Sequence, residues 1–374
     1  MTTHNRVMPL SAVIVLVAVV CVIIVLACVT LWVRVRSRHE LEEHLNARHD
    51  DQVSYAFIIN PSKPQAEQIR ERISIFCRNK GLEDVHFYET QLNKDGKACA
   101  QEALKQGAGI VVAVGGDGTV RTVASAVAGT GHTLGIIPIG TGNLFARNMG
   151  IPVGDPEAAL AVATSHGSRQ VDVGRMRILD GSDNQTRHAF LIIAGIGFDA
   201  LMIDDTDPNL KKTLSWLAYF ISGAKHLFAD KYQGDITIRQ RNGKTHTNTN
   251  VEFRTFMAGN CGEIPGFSLM PNASFDDGLL DFELIDTSGG LIGWANLFGD
   301  VMHQTITGKA SQSPLSTNSS IVQVQGASAE ITLKKPALAQ VDGDILGQTQ
   351  HIELTIDHQS LNVRVPVDDS PSAK

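Results

Sequence analysis

Between residues 54 and 148, short apolar runs alternate with longer amphipathic ones. Ser54–Asn60 (SYAFIIN) is a continuous apolar run that stops at Pro61, which predicts a strand followed by a loop. Over Gln65–Lys80 the apolar residues Ile69, Ile73, Phe76 and Cys77 recur at the spacing of one helix face. Val85–Glu89 reads as a second strand, Lys97–Lys105 as a helix and Gly109–Val114 (GIVVAV) as a buried strand. Gly115-Gly116-Asp117-Gly118-Thr119 then opens a helix over Val120–Ala128. Leu134–Ile139 follows as a strand, and Thr141-Gly142-Asn143 leads into Leu144–Asn148. Strands alternating with helices predict a parallel α/β sheet with right-handed crossovers, over residues 53–168.

The texture changes at Gln170. Short alternating runs separated by polar turns recur at Gln170–Arg177, Ala189–Ala194, Asp235–Arg239, Val251–Ala258, Leu279–Ile285, Ile321–Val324, Glu330–Leu333, His351–Ile356 and Leu361–Val365. Many strands without long helices between them predict an antiparallel β-sandwich domain over residues 169–365. Leu210–Phe228 is the exception, an apolar helical stretch suited to a core or to a lipid-facing cleft. Residues 366–374 read as a disordered tail.

The N-terminus carries a third pattern. Leu10–Val33 is uncharged and long enough, at about 1.5 Å per residue, to cross a bilayer core of about 30 Å. It exceeds the apolar core of about 7–15 residues typical of a cleaved signal peptide. Arg34, Arg36 and Arg38 follow it directly, against His4 and Arg6 before it. The expectation is a single-pass inner-membrane protein: residues 1–9 outside, 10–33 spanning, 34–52 a juxtamembrane linker, and the body cytoplasmic.

Composition adds exclusions. With 43% hydrophobic and 19% charged residues, the chain can build real cores and is not a disordered protein. A formal charge of −7 gives no field for wrapping nucleic acid, and no basic patch interleaved with aromatics compensates. Five scattered cysteines form no C-x-x-C pair, which argues against a disulfide scaffold or a thiolate zinc site.

The chemistry concentrates in two strand-to-helix turns. In GGDGT the glycines let backbone N–H groups approach a ligand, and the helix start adds donors suited to phosphate. Neither G-x-x-x-x-G-K-[ST] nor G-x-G-x-x-G is present. Asp117 within the turn would repel phosphate unless a cation bridges them, and a plain glycine turn with an Asp cap explains the pentapeptide equally well. The second turn, Pro138-Ile-Gly-Thr-Gly-Asn-Leu-Phe-Ala-Arg147, faces the same crevice at the carboxyl ends of neighbouring strands. Together they point to nucleotide binding.

GGDGT followed by PIGTGNLFAR and preceded by Asn60-Pro61-Ser62 resembles the catalytic domain of the diacylglycerol and sphingosine kinase superfamily, over roughly Tyr55 to Val365. The resemblance implies an ATP- and Mg2+-dependent kinase acting on a lipid hydroxyl, diacylglycerol being the default acceptor. It implies nucleotide contacts at Asn60, Pro61, Ser62, Lys63, Pro64, Thr90, Gly115, Gly116, Asp117, Gly118, Thr119, Val120, Arg121 and Thr141. Asp117 and Asp172 would make water-mediated magnesium contacts. Asp344, in Gln340-Val-Asp-Gly-Asp344, would be the general base. A structural magnesium would be held by Asp277 and the carbonyls of Ser274 and Leu279. Asp199, in Gly195-Ile-Gly-Phe-Asp199, would stand at the lipid cleft.

The chain departs from the family pattern in four places. Lys63-Pro64 stands for the usual Ser-Gly, Arg121 for Asn, Leu144 for a frequent Asp, and Asp344 for Glu. Taken alone, Asp-Asp-Gly at 276–278 and Asp-Gly-Asp at 342–344 read as turns between strands. An NAD kinase also carries GGDGT, and a membrane-tethered regulatory protein with a decayed site would explain the departures. The partners expected are a membrane lipid and the bilayer; a homodimer is compatible with this plan.

Overall fold

The computed structural model describes residues 53–197, 231–261, 263–264, 267–268, 270, 273–287 and 319–367. The expected span over 10–33, the 34–52 linker, the 210–228 stretch, Asp199 and the 368–374 part of the tail lie outside the described residues. Among the described residues no helix is long and apolar enough to cross a membrane.

The N-terminal half forms as its periodicity predicts. Strands β1 (Tyr55–Ile59), β2 (Val85–Glu89), β3 (Ile110–Gly115) and β4 (Thr133–Pro138) alternate with helices α1 (Ala66–Lys80), α2 (Gly96–Lys105) and α3 (Asp117–Val127). All pairings are parallel, in the order β4-β3-β1-β2. β1 and β3 are buried at every position, because helices cover both faces of a parallel sheet and polar side chains have nowhere to go. β2, at the edge, is half exposed. α1 turns Ala66, Ile69, Ile73 and Cys77 into the core and ends at Gly81, in the left-handed conformation (φ 72°).

Two short helices complete this half, α4 (Leu144–Asn148) and α5 (Pro156–Ala163). α5 shows no helical period in the sequence, although its capping signals are present there. The Asp155 side chain accepts the Ala158 N–H at 3.1 Å, and Pro156 begins the first turn.

The second half is antiparallel, as its alternation predicts. Its strands are β5 (Ser168–Ile178), β6 (Arg187–Phe190), β7 (Ile193–Gly197), β8 (Tyr232–Arg239), β9 (Thr245–Phe253), β10 (Thr255–Gly259), the short pair β11 (Glu263–Ile264) and β12 (Phe267–Ser268), β13 (Leu280–Thr287), β14 (Ser319–Gly326), β15 (Ser328–Val341) and β16 (Asp344–Arg364). Apart from β11 and β12, they do not stand as a separate sheet. β16 pairs with β15 along its first part and runs parallel to β4 at its end, joining both halves in one branched sheet, β14-β13-β10-β7-β15-β16-β4-β3-β1-β2. The expected sandwich is therefore seen as branches of one hydrogen-bonded network. Their inward side chains, among them Phe253, Phe256, Phe282, Ile331 and Leu354, share one core. The runs His351–Ile356 and Leu361–Val365 are one strand, interrupted by a register shift between Asp357 and Leu361.

Candidate functional site

The two glycine turns lie against each other. The Ile139 N–H donates to the Gly115 carbonyl at 2.9 Å, drawing the end of β4 onto the end of β3. A Cβ on Gly140 would stand 2.5 Å from the Gly116 Cα and 2.7 Å from Asn143 Oδ1, so only glycine permits this approach. Asn143, buried and left-handed (φ 50°), closes the second turn: its Oδ1 accepts the Gly140 N–H at 3.0 Å and its Nδ2 donates to the Gly140 carbonyl at 2.7 Å.

Asp117 ties the two turns together. Its carboxylate accepts the Asn143 N–H at 2.8 Å and the Leu144 N–H at 2.6 Å. The acid that would repel phosphate in the first turn thus captures the donors that open α4, an Asx-type cap supplied from another loop.

The Asn60–Pro64 loop borders this pair of turns. Asn60 Oδ1 accepts the Ser62 N–H at 3.0 Å and the Ser62 hydroxyl at 2.7 Å, while its Nδ2 donates to Thr119 Oγ1 at 3.4 Å. The Lys63 Cε lies 3.9 Å from where a Gly116 Cβ would be, so the cation replacing the usual small residue is beside the glycine turn. Pro61, Ser62 and Pro64 are exposed on the loop surface. Thr119 packs on Gly115, and Val120 turns into the core rather than toward the crevice. Thr90 donates its N–H to Ile59 at 2.9 Å, which sets it at the end of β1. Thr141 is exposed on the second turn, and Gly118 is exposed at the start of α3.

Asp344 arrives from the far end of the sequence. The turn between β15 and β16 has Asp342 at φ 46° and Gly343 at φ 86°, the left-handed pair of a tight hairpin turn. Asp344 Oδ2 lies 3.8 Å from where a Gly118 Cβ would be, over the first turn of α3. Arg121 donates one Nη to Asp344 and the other to the Ala189 carbonyl at 3.4 Å. The Arg121 side chain is mostly buried, whereas Asp344 is 57% exposed and open to a ligand.

Asp342 has no role legible in the sequence, though it stands in the Gln340-Val-Asp-Gly-Asp344 run. Its carboxylate accepts three successive N–H groups, Leu191 at 2.7 Å, Ile192 at 3.0 Å and Ile193 at 2.9 Å. Burial pushes this acid up to about 6, with the three N–H bonds and Arg121 acting the other way. Capturing those donors breaks the expected strand over 189–194 into β6 and β7.

Asp172 is fully buried, and the contacts of its carboxylate lie around the 273–279 loop. They are Gly278 N–H at 2.6 Å, Gln359 N–H at 2.6 Å and His358 Nδ1 at 2.8 Å. Asn260, a second residue without a sequence signal, links the Asp172 and Leu191 carbonyls at 3.0 and 3.1 Å. In the same loop Asp277 Oδ1 accepts the Leu279 N–H at 2.9 Å, Ser274 donates to Asp276 at 2.7 Å, and Arg241 donates to the Asp277 carbonyl. Burial raises Asp277 above the ordinary carboxylate value. Among the described residues no group of three or more His, Cys, Asp and Glu side chains gathers as a metal cluster. The donors of Ser274, Asp277 and Leu279 are hard oxygens of the kind magnesium accepts.

Residues 54–176 match the diacylglycerol kinase catalytic domain family. The chain is 32% identical over 232 residues to the Pseudomonas aeruginosa protein named "Probable lipid kinase YegS-like", covering 61% of this chain and 72% of that one. The chain belongs to the diacylglycerol-kinase-like lipid kinase family. An uncharacterized protein of Synechocystis sp. is 30% identical over 281 residues, 73% of this chain, which spans 59% of that relative's length. The fold is similar to the crystal structure of a diacylglycerol kinase from Bacillus anthracis str. Sterne, with a TM-score of 0.63, 22% identity, and coverage of 85% of this chain and 98% of that one. Lys63 and Asp344 flank the glycine turn, the first beside Gly116 and the second beside Gly118.

Proposed function

We propose that this chain transfers the γ-phosphoryl group of ATP to a membrane-lipid hydroxyl, converting diacylglycerol to phosphatidic acid by default. The observation that carries the reading is the placement of Asp344 over the first turn of α3, beside two glycine turns that Asp117 locks together. The backbone donors of Gly116–Thr119 and the Lys63 ammonium receive the phosphates, with Asn60, Thr90 and Thr141 bordering the nucleotide. Asp344 accepts the proton of the attacking hydroxyl as the new O–P bond forms and the bond to the ADP oxygen breaks. Arg121 holds the aspartate in place, which offsets its lost methylene relative to glutamate. The antiparallel second half receives the acyl chains.

Magnesium, when bound, would neutralise phosphate charge. Asp277, with the carbonyls of Ser274 and Leu279, is the described oxygen set for a structural ion. Asp172 contributes by fixing the Gly278 N–H and so the shape of that loop. The 10–33 segment anchors the chain in the inner membrane with the body on the cytoplasmic side, where ATP and a bilayer-bound acceptor meet. Asp199 stands in sequence at the entrance to the lipid half.

A second reading, a lipid-binding regulator without turnover, is favoured by the Arg121–Asp344 ion pair, which occupies the base. Labelled ATP, magnesium and a mixed lipid extract separate the two. Labelled lipid made by wild type and lost in Asp117→Asn and Asp344→Asn establishes the kinase. ATP binding without labelled lipid leaves the regulator, and activity surviving Asp344→Asn removes Asp344 as the base.

A further inference from the structure

Along β13 side chains alternate between two faces. Leu280 and Phe282 enter the core, so Asp281 and Glu283 point to the other face, where both are nonetheless buried. The register places Glu283 opposite Gln323 of β14 and Met257 of β10, Met257 opposite Gly195 of β7, and Gly195 opposite Gln340 of β15. One row thus crosses five strands on a single face. At its far end the buried Gln340 accepts the Gly343 N–H at 3.0 Å, inside the turn that carries Asp344.

A second row runs beside it. Asp281 is opposite Gln325 and Gly259, Gly259 is opposite Ile193, and the Asp342 N–H donates to the Ile193 carbonyl at 2.8 Å. Both rows carry an acid on β13 and run to the residues that flank the Asp342-Gly343-Asp344 turn, Gln340 in one and Ile193 in the other. Glycines 195 and 259 keep the middle low, and Met270 Sδ fills the place a Gly259 Cβ would take.

Within this face Glu283 Oε2 is buried and, among the described residues, has no hydrogen-bond partner. An orphaned carboxyl oxygen costs about 1–3 kcal/mol. A residue with no role beyond filling the sheet would avoid that cost, so the oxygen is read as a ligand contact. Three strand spacings of about 4.8 Å put Glu283 about 14 Å from Gln340. We propose that Glu283 and Asp281 form a subsite that reads a second hydroxyl on the acceptor lipid, about 14 Å from the strand that leads into the Asp342-Gly343-Asp344 turn. Burial pushes Glu283 up to about 8, so at neutral pH the acid is mostly neutral and both donates and accepts. A hydroxyl matches that pair of roles, whereas an ammonium group would need the ionised form.

The proposal rests on the lipid-kinase reading. Its test compares dioleoylglycerol, whose single hydroxyl is the phosphorylated one, with diricinoleoylglycerol, which adds one hydroxyl on each chain, and with a glucosyl-diacylglycerol, in which the glycosidic bond takes up the glycerol hydroxyl and the sugar supplies both the accepting hydroxyl and its neighbours. Wild type is expected to favour one hydroxylated lipid by about five-fold in KM, the worth of one hydrogen bond; which one locates the hydroxyl in chain or head. Glu283→Leu should bring the ratio to one while the ATP KM and dioleoylglycerol turnover hold, and Glu283→Gln should keep most of it. If Glu283→Leu does not fold, Met257→Phe, which narrows the row between turn and acids, should cause the same loss. Equal KM values for all three lipids in wild type, or a preference that survives Glu283→Leu, overturns the subsite. If no lipid is phosphorylated, the kinase reading has failed separately, and retention of the same lipids from mixed micelles tests the subsite by the same ratios.

Discussion

At the scale of single residues, the acids of this chain divide by what their oxygens meet. Asp342 satisfies three backbone donors, so Asp342→Ala leaves them facing a cavity. The expected cost is about 3 kcal/mol of stability, read as a lower urea midpoint, with Asp342→Asn losing less because one oxygen remains. Glu283 makes the opposite kind of contribution. Burial raises it from the ordinary 4.5 to about 8, so the folded chain binds its proton more tightly than the unfolded chain. Its stabilising effect is complete below about pH 4.5 and is lost as pH rises through about 8. Asp281, raised to about 6 chiefly by burial, adds the same sign over a lower window, from 3.8 to about 6. Denaturation of Glu283→Gln across pH 4 to 9 should therefore show a shallower decline than wild type, the difference reaching at most about 5 kcal/mol. An identical pH dependence would mean that Glu283 ionises freely in the folded protein. Asp172→Asn should weaken the magnesium-induced thermal shift, since the amide cannot accept from both Gly278 and His358 as the carboxylate does. ATP affinity measured without magnesium should stay unchanged.

At the scale of elements, the site depends on how closely two strand-to-helix turns can approach. Gly140→Ala inserts a methyl 2.5 Å from the Gly116 backbone, and backbone cannot yield as a flexible side chain does. ATP affinity by calorimetry is expected to fall about ten-fold or more, about 1.4 kcal/mol, with lipid retention unaffected. This part was legible in the sequence, because a parallel strand is an unbroken apolar run and its turn is a glycine cluster. GIVVAV and the two glycine turns therefore predicted β3 within one residue and the place where the two turns meet. The helix over Val120–Ala128 starts three residues earlier, at Asp117, because the glycine turn itself supplies the first helical turn. What the sequence hid is long-range. Asp117 carries no sign that its partners are Asn143 and Leu144, and Asp172 none that it meets His358. Local periodicity also merges β6 with β7 and splits β16, since neither the capture of Leu191–Ile193 by Asp342 nor the bulge at 357–361 has a local pattern.

At the scale of the whole molecule, one strand links the two halves chemically. β16 begins at Asp344 and ends parallel to β4, the strand whose far end leads into the Gly140 turn. If Asp344 is the base, its seat at one end of a strand fixed into the parallel sheet holds it without a separate hinge, which suits chemistry that relies on positioning. The acceptor must still be brought to that base, and a lipid does not leave the bilayer at useful concentration. Leu10–Val33 answers this if it spans: it would confine the body to the surface holding the acceptor, and the arginines at 34, 36 and 38 would make that surface the cytoplasmic one. The full-length chain should then resist carbonate extraction. Val19→Arg with Ile23→Arg adds about 2.5–3.5 kcal/mol per charge at the centre of the segment and should release it. Released protein is expected to keep its ATP affinity and its turnover of acceptor in detergent micelles, while losing turnover of acceptor in vesicles. Retention of the doubly charged variant in the membrane would show that the body binds the bilayer by itself, and the 10–33 segment would then have to be given another purpose.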